Sequence, residues 1–117
     1  MALSRRFDEP LVDAAIAWME RRLATTFSAK ELASALPVSY RTLHRRFHTV
    51  TGMPPLRYLQ ALRVERAKEI LEQTSRSVDQ IAGEVGYGDG ASFRRLFTRL
   101  TSVTPAQYRR RFRGLER

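Results

Sequence analysis

Residues 28–58, SAKELASALPVSYRTLHRRFHTVTGMPPLRY, and residues 77–108, SVDQIAGEVGYGDGASFRRLFTRLTSVTPAQY, are two copies of one phrase. Ser28, Leu32, Ala33 and Leu36 recur 49 residues later as Ser77, Ile81, Ala82 and Val85. Leu43, Arg45, Phe47, Val50, Thr51, Pro55 and Tyr58 recur 50 residues later as Phe93, Arg95, Phe97, Leu100, Thr101, Pro105 and Tyr108. The offset changes by one residue in the turn between the two halves of the phrase, where an insertion is tolerated. Self-similarity at one period marks a duplicated supersecondary unit.

Each copy carries helix signals and no period-two alternation. In the first, Ser28 and Glu31 form a capping box, with Phe27 and Leu32 as its hydrophobic staple, and Pro37 stops the short helix after Leu36. Ser39 caps the next helix, whose Leu43, Phe47 and Val50 face inward and which Gly52 closes. In the second, Ser77 and Gln80 make the box, Ile81, Ala82 and Val85 the apolar face, and Gly86 the stop. Asp89 caps the following helix, with Phe93, Phe97 and Leu100 expected inward. Thr104-Pro105-Ala106-Gln107 is a third box, with Pro at the first helical position and Val103 placed to staple onto Tyr108. Gly83 interrupts its helix, and Gly86, Gly88 and Gly90 suggest a looser second turn than Pro37-Val38 makes in the first.

Outside the copies, Asp8-Glu9-Pro10 starts a helix with Val12, Ile16, Met19 and Leu23 at helical spacing beside Trp18. Pro54-Pro55 opens a longer one with Leu56, Leu59, Leu62, Ala67, Ile70 and Leu71 as a continuous apolar face. The fold class is therefore all-α, with about seven helices. We divide residues 1–117 into a first helix-turn-helix subdomain (10–53), a connecting helix (54–74) and a second such subdomain (75–113). Leu56 to Gln73 is 18 residues without Gly or Pro inside, roughly 27 Å of helix at ~1.5 Å per residue. It is expected to act as a strut rather than a hinge between the two copies.

The 117 residues hold 21 Lys+Arg against 12 Asp+Glu, a net charge of +9. All the basic residues but Lys30 and Lys68 are Arg, which pairs bidentately with phosphate or guanine edges as Lys cannot. No acid lies between Glu31 and Glu65, where Arg41, Arg45, Arg46, Arg57 and Arg63 fall. None lies between Asp89 and Glu116, against Arg94, Arg95, Arg99, Arg109, Arg110, Arg111 and Arg113. Two acid-free basic blocks point to a polyanionic partner, nucleic acid, which the paired helices of each copy narrow to double-stranded DNA. Two helices joined by a tight turn, the second basic outside, describe a helix-turn-helix. Its N-terminal half meets base edges, so Arg45 and Arg95 are the leading candidates for reading guanine. Arg46 and Arg99 lie toward the flank and suit phosphate, as do Ser39, Thr42, His48 and Ser92.

Other chemistries find less support. Without cysteine there is no thiol catalysis, cysteine-ligated zinc or disulfide, and a reducing cytoplasm fits. His44 and His48 share a helix face, but no carboxylate offers a third metal ligand or orients a catalytic base. We expect no enzyme activity, metal or cofactor. Trp18, Tyr58 and Tyr108 have the spacing of core residues rather than of a base-stacking platform. No apolar run approaches the ~20 residues of a spanning helix, so no membrane partner is expected. The rival reading is a basic helical interaction module that recruits a protein such as RNA polymerase.

The chain resembles the DNA-binding domain of the AraC/XylS family of bacterial transcription regulators from about Pro10 to Phe112. Phe27-Ser-x-x-x-Leu-Ala, Leu43-His-Arg-Arg-Phe47 with Thr51-Gly52, and Arg63-x-x-x-Ala67-x-x-x-Leu71 carry the likeness. Ile81-Ala82-x-x-x-Gly86-Tyr87 leading to Ser92-Phe93-x-x-x-Phe97, then Thr104-Pro105-x-x-Tyr108-Arg109, complete it and are its most specific part. The resemblance implies two helix-turn-helix subdomains joined by one long helix. It places base contacts on Arg41, His44 and Arg45 in the first copy and on Ala91, Arg94 and Arg95 in the second. Ala91 stands where many members carry a larger polar side chain, so the second helix is expected to read fewer bases or a thymine methyl. Regulators of this kind typically contact RNA polymerase, and most carry this domain behind an effector-binding one. The stretch from Thr42 to Leu71 is most similar to the branch with an amidotransferase-like front domain. A monomeric domain at the bacterial nucleoid is the corresponding expectation.

Overall fold

The computed structural model describes residues 9–115. They form seven helices: α1 (Pro10–Arg21), α2 (Ala29–Ser34), α3 (Tyr40–Thr51), α4 (Pro55–Gln73), α5 (Val78–Glu84), α6 (Gly90–Thr101) and α7 (Pro105–Leu115). No strand occurs among the described residues. The chain divides into two compact units, Met1–Leu62 and Arg63–Arg117, with the division inside α4.

Local chemistry sets the helix ends. The carboxylate of Glu9 accepts from the Leu11 and Val12 N–H groups ahead of α1, with Pro10 at the first position; Asp8 of the expected start signal lies outside the described residues. Ser28 with Glu31, and Ser77 with Gln80, form complete capping boxes. Ser39 accepts from Thr42 N–H and Asp89 from Ser92 N–H. Thr104 and Gln107 exchange reciprocal bonds of 2.9 and 3.1 Å at the start of α7. Thr51 and Thr101 act alike at the other ends. Each hydroxyl lies within 2.8 Å of the carbonyl four residues back and accepts from the N–H two residues on.

The first unit's core joins Leu11, Val12, Ala15, Ile16 and Met19 of α1, Leu32 of α2, and Leu43 and Phe47 of α3 to Tyr58, Leu59 and Leu62. Trp18 and Phe27 flank it, ring edge to face at 4.7 Å. The second unit's core joins Val64, Ala67, Ile70 and Leu71 of α4 to Ile81, Ala82, Val85, Phe93, Leu96 and Phe97. Each of the fully buried phenylalanines Phe47, Phe93 and Phe97 contributes roughly 1.5–3 kcal/mol by leaving water. The duplicated tyrosines have one use in both units: Tyr58 meets Phe47 edge-on at 5.3 Å and Tyr108 meets Phe97 at 5.8 Å.

Three expectations change. Leu56 is 38% exposed, because it lies ~100° around α4 from buried Pro55. Leu100 is 46% exposed, and Leu96 is buried instead. Leu100 lies two turns beyond Phe93 on the same face, where the packing opens into a groove with Lys68, Val103, Tyr108 and Phe112. The apolar residues of α4 do not serve one core: Tyr58, Leu59 and Leu62 belong to that of the first unit, and Val64, Ala67, Ile70 and Leu71 to that of the second. The stop expected at Gly86 is present. Gly86 adopts φ +90°, a left-handed stop that lets Tyr87 N–H reach the Ala82 carbonyl at 2.9 Å.

Candidate nucleic-acid interface

In the first unit, α3 is clamped by Leu43 and Phe47, both fully buried. With those positions inward, Arg41, His44, Arg45 and His48 stand exposed on the other side, one row at i, i+3, i+4 and i+7. Arg41 and Arg45 have no ion-pair partner among the described residues. His44 meets the Tyr40 ring edge-on at 5.8 Å. Ser39 and Thr42 hydroxyls lie 3.2 Å apart at the helix start. Arg46 is placed differently: its Nη2 lies 2.5 Å from Glu9 Oε1. Glu9 thus caps α1 and holds Arg46 of α3 at once, and a phosphate would have to compete with it.

The second unit repeats the arrangement with different wiring. Phe93, Leu96 and Phe97 anchor α6, leaving Ala91, Arg94, Arg95, Thr98 and Arg99 exposed and Ser92 half-buried. Asp89 accepts from Ser92 N–H at 2.7 Å and from its hydroxyl at 3.0 Å. These bonds, led by the backbone one, hold the Asp89 carboxyl below the usual range. Ser92 Oγ accepts in turn from Arg95 Nη2 at 3.2 Å. Arg94 Nη2 lies 3.2 Å from Asp79 Oδ1 of α5. Both copies therefore display a basic row, unpaired at its two arginines in α3 and tethered within the unit in α6.

Part of the basic block after Asp89 has other work. Arg109 Nε donates to the Leu71 carbonyl at 3.1 Å, and Arg113 Nη2 donates to the Thr74 carbonyl at 2.9 Å. These are orphan carbonyls at the end of α4, so the two guanidiniums act as its C-terminal cap. Tyr108 donates to the Glu72 carboxylate beside them. Burial and that acceptor raise the Tyr108 hydroxyl well above its ordinary pKa. Arg63, only 8% exposed, lies over the Tyr87 ring at 5.5 Å. Burial lowers its pKa, and Tyr87 opposes the shift.

Sequence reasoning singled out the exposed rows and missed two contacts made to these helices, Glu9 with Arg46 of α3 and Asp79 with Arg94 of α6. One signal was present: Asp79 and Lys30 are equivalent positions of opposite charge in the two copies. No group of three or more His, Cys, Asp or Glu that could hold a metal occurs among the described residues. No described helix is long and apolar enough to cross a membrane.

The family described as "Helix-turn-helix domain" matches residues 32–111. The DNA-binding domain of AdpA, solved in complex with a target DNA, superposes with TM-score 0.83 at 35% identity, covering 88% of this chain and 93% of that one. A transcriptional regulator of the AraC-type DNA-binding class from Chromobacterium violaceum gives TM-score 0.84 at 31% identity, covering 89% and 93%. The chain belongs to the AraC-type helix-turn-helix DNA-binding domains. Its function is sequence-specific DNA binding in transcription regulation. It is also 39% identical over 94 residues to the HTH-type transcriptional activator RhaS of Enterobacter sp. (strain 638). The match takes in 80% of this chain and 34% of RhaS, so this AraC-type domain spans about a third of that relative's length.

Proposed function

We propose that α3 and α6 are the two reading helices of this AraC-type domain, addressing neighbouring major-groove segments of duplex DNA. Base edges are read by Arg41, His44 and Arg45 from the first and by Ala91, Arg94 and Arg95 from the second. Ser39, Thr42, His48, Ser92 and Arg99 contact phosphate, with Arg46 joining them when Glu9 releases it. The observation that carries this reading is the repeated geometry. Buried aromatic and aliphatic anchors, two in α3 and three in α6, fix each helix by one face, and the opposite face offers an exposed row rich in hydrogen-bond donors. Such a row near a helix N-terminus is what base readout needs.

The domain acts as a monomer within a longer bacterial regulator at the nucleoid, behind a front domain of the amidotransferase-like kind, and it contacts RNA polymerase. Its place within a longer regulator is supported by the third of RhaS that the match covers, and the polymerase contact by the activator role in the RhaS name. A salt titration on a site selected from random DNA tests the reading. With about six phosphates neutralised, log affinity should fall against log salt with slope about −5. A slope near zero would refute it. Inserting ~5 bp between the half-sites should reduce binding to that of one half, and undiminished binding would mean that a single helix engages.

A further inference from the structure

The two copies support their central reading position by different means. In the first, the ring of Tyr40 stands one turn before His44 and meets its imidazole. Fifty residues on, the same positions are Gly90 and Arg94, so no side chain stands in Tyr40's place. The space is filled from α5, by the Asp79 carboxylate 3.2 Å from Arg94 Nη2. A Cβ at position 90 would fall 2.0 Å from Asp79 Oδ1 and 2.7 Å from Arg94 Nη1. Gly90 is not among the positive-φ glycines, Gly52 and Gly86. Its missing side chain, rather than its backbone freedom, is therefore what the structure uses.

The plainer account of Asp79 is a carboxylate suited to the first turn of α5. That account needs no glycine at 90, and Ser77 and Gln80 already supply the capping bonds. Nor does the shared plan of the copies ask for an acid, since Lys30 holds the equivalent place. We infer that Asp79 is a positioning residue for Arg94 and that Gly90 is the opening through which it acts.

At side-chain exposures of 48% and 74%, this ion pair adds little to stability. Its effect is on recognition. A guanidinium already held in place loses less rotamer freedom when its planar fork meets a guanine. The carboxylate also disfavours mismatched binding. If Arg94 swings aside to a phosphate, Asp79 is left unpaired beside a polyanion, a penalty that falls on wrong sites more than on the right one. Asp79 should therefore lower affinity for DNA in general while sharpening choice in the second half-site.

This inference rests on Arg94 being a base contact, and the experiment separates the two. The full chain is titrated against its selected duplex, every single base-pair substitution in the second half-site, and a random duplex. Arg94→Ala should lose about 10-fold discrimination or more at one or two base pairs. Asp79→Ala and Gly90→Ala should each lose about 3- to 10-fold at those same base pairs. Gly90→Ala meets only the ends of two mobile side chains, so the fold is retained. Asp79→Ala should also bind the random duplex about 2- to 5-fold more tightly, having shed a negative charge; Gly90→Ala should not. In the Arg94→Ala background, Asp79→Ala should change discrimination no further. Full discrimination in Asp79→Ala and Gly90→Ala, alongside its loss in Arg94→Ala, overturns the positioning role and leaves Arg94 as a reader. Retained discrimination in Arg94→Ala overturns the reader and the positioning role together.

Discussion

Replacing Ser102 by glycine should stabilise this domain, and the duplicated sequence supplies the control. Helix α6 ends in Ser102 at φ +68°, the sole non-glycine residue with positive φ among the described residues. Helix α3 ends in Gly52 at φ +82°. Both cap N–H groups donate to the carbonyl four residues back at 2.8 Å, to His48 from Gly52 and to Thr98 from Ser102. The caps are the same and the residues differ. A left-handed backbone costs an L-residue about 1–2 kcal/mol, while glycine adds about 0.5–1 kcal/mol of unfolded-chain entropy to be lost. The net gain for Ser102→Gly is about 0.5–1 kcal/mol, or roughly 2–5 °C in Tm. The reverse change, Gly52→Ser, should cost about as much. Nothing lies within 4 Å of a Cβ at 52, so that loss comes from the backbone alone. Urea and thermal unfolding followed by helical circular dichroism measure both, with an unchanged urea slope showing that only stability moved. Affinity for DNA should not change, because both caps lie at the opposite helix end from the reading residues. A lower midpoint for Ser102→Gly would refute the reasoning outright.

Arg45→Ala should relax base preference more than Arg95→Ala on one selected site, because Arg41, His44 and Arg45 give α3 three polar readers, whereas α6 has Ala91 in its row. Each loss should be ~1–3 kcal/mol, and equal or reversed losses across a base-substitution panel would count against this ranking. Gly83→Ala should stabilise by about 0.5–1 kcal/mol, since Gly83 is exposed in α5 with open space for a Cβ; a denaturation midpoint that fails to rise would contradict it. Tyr87 and Tyr108 both have folded pKa values above the ordinary 10.0, chiefly through burial. The unfolded state then releases these protons first, so their contribution is full below pH ~10 and is lost as pH rises through the folded values. Tyr108→Phe should flatten that alkaline fall in unfolding midpoints, and an unchanged alkaline limb would exclude this origin.

Much of the fold is encoded within a few residues of where it acts. Ser28 with Glu31, Ser77 with Gln80, and Thr104 with Gln107 satisfy donors inside their own first turns, and Gly52 stops α3 by its own backbone freedom. Such signals need no distant partner, so the helices, the duplication and the exposed rows from Arg41 to His48 and from Ala91 to Arg99 were legible from local pattern. What a side chain meets beyond its own helix was not. Arg46 is paired by Glu9, and Arg109 and Arg113 cap the end of α4, although a count of charges sets all three among DNA-facing cations. The equivalence of the copies misleads at Leu100, which local period places inside, while Leu96 is buried at the position equivalent to exposed Arg46 in the first copy. In α4 a single run of apolar residues serves two cores, and only packing decides where Leu62 yields to Val64. Asp79 and Gly90 show the division most plainly. In sequence they are an ordinary helix-start acid and a turn glycine. Their joint hold on Arg94 exists because tertiary packing brings the start of α5 against the start of α6, a long-range juxtaposition that no local periodicity encodes.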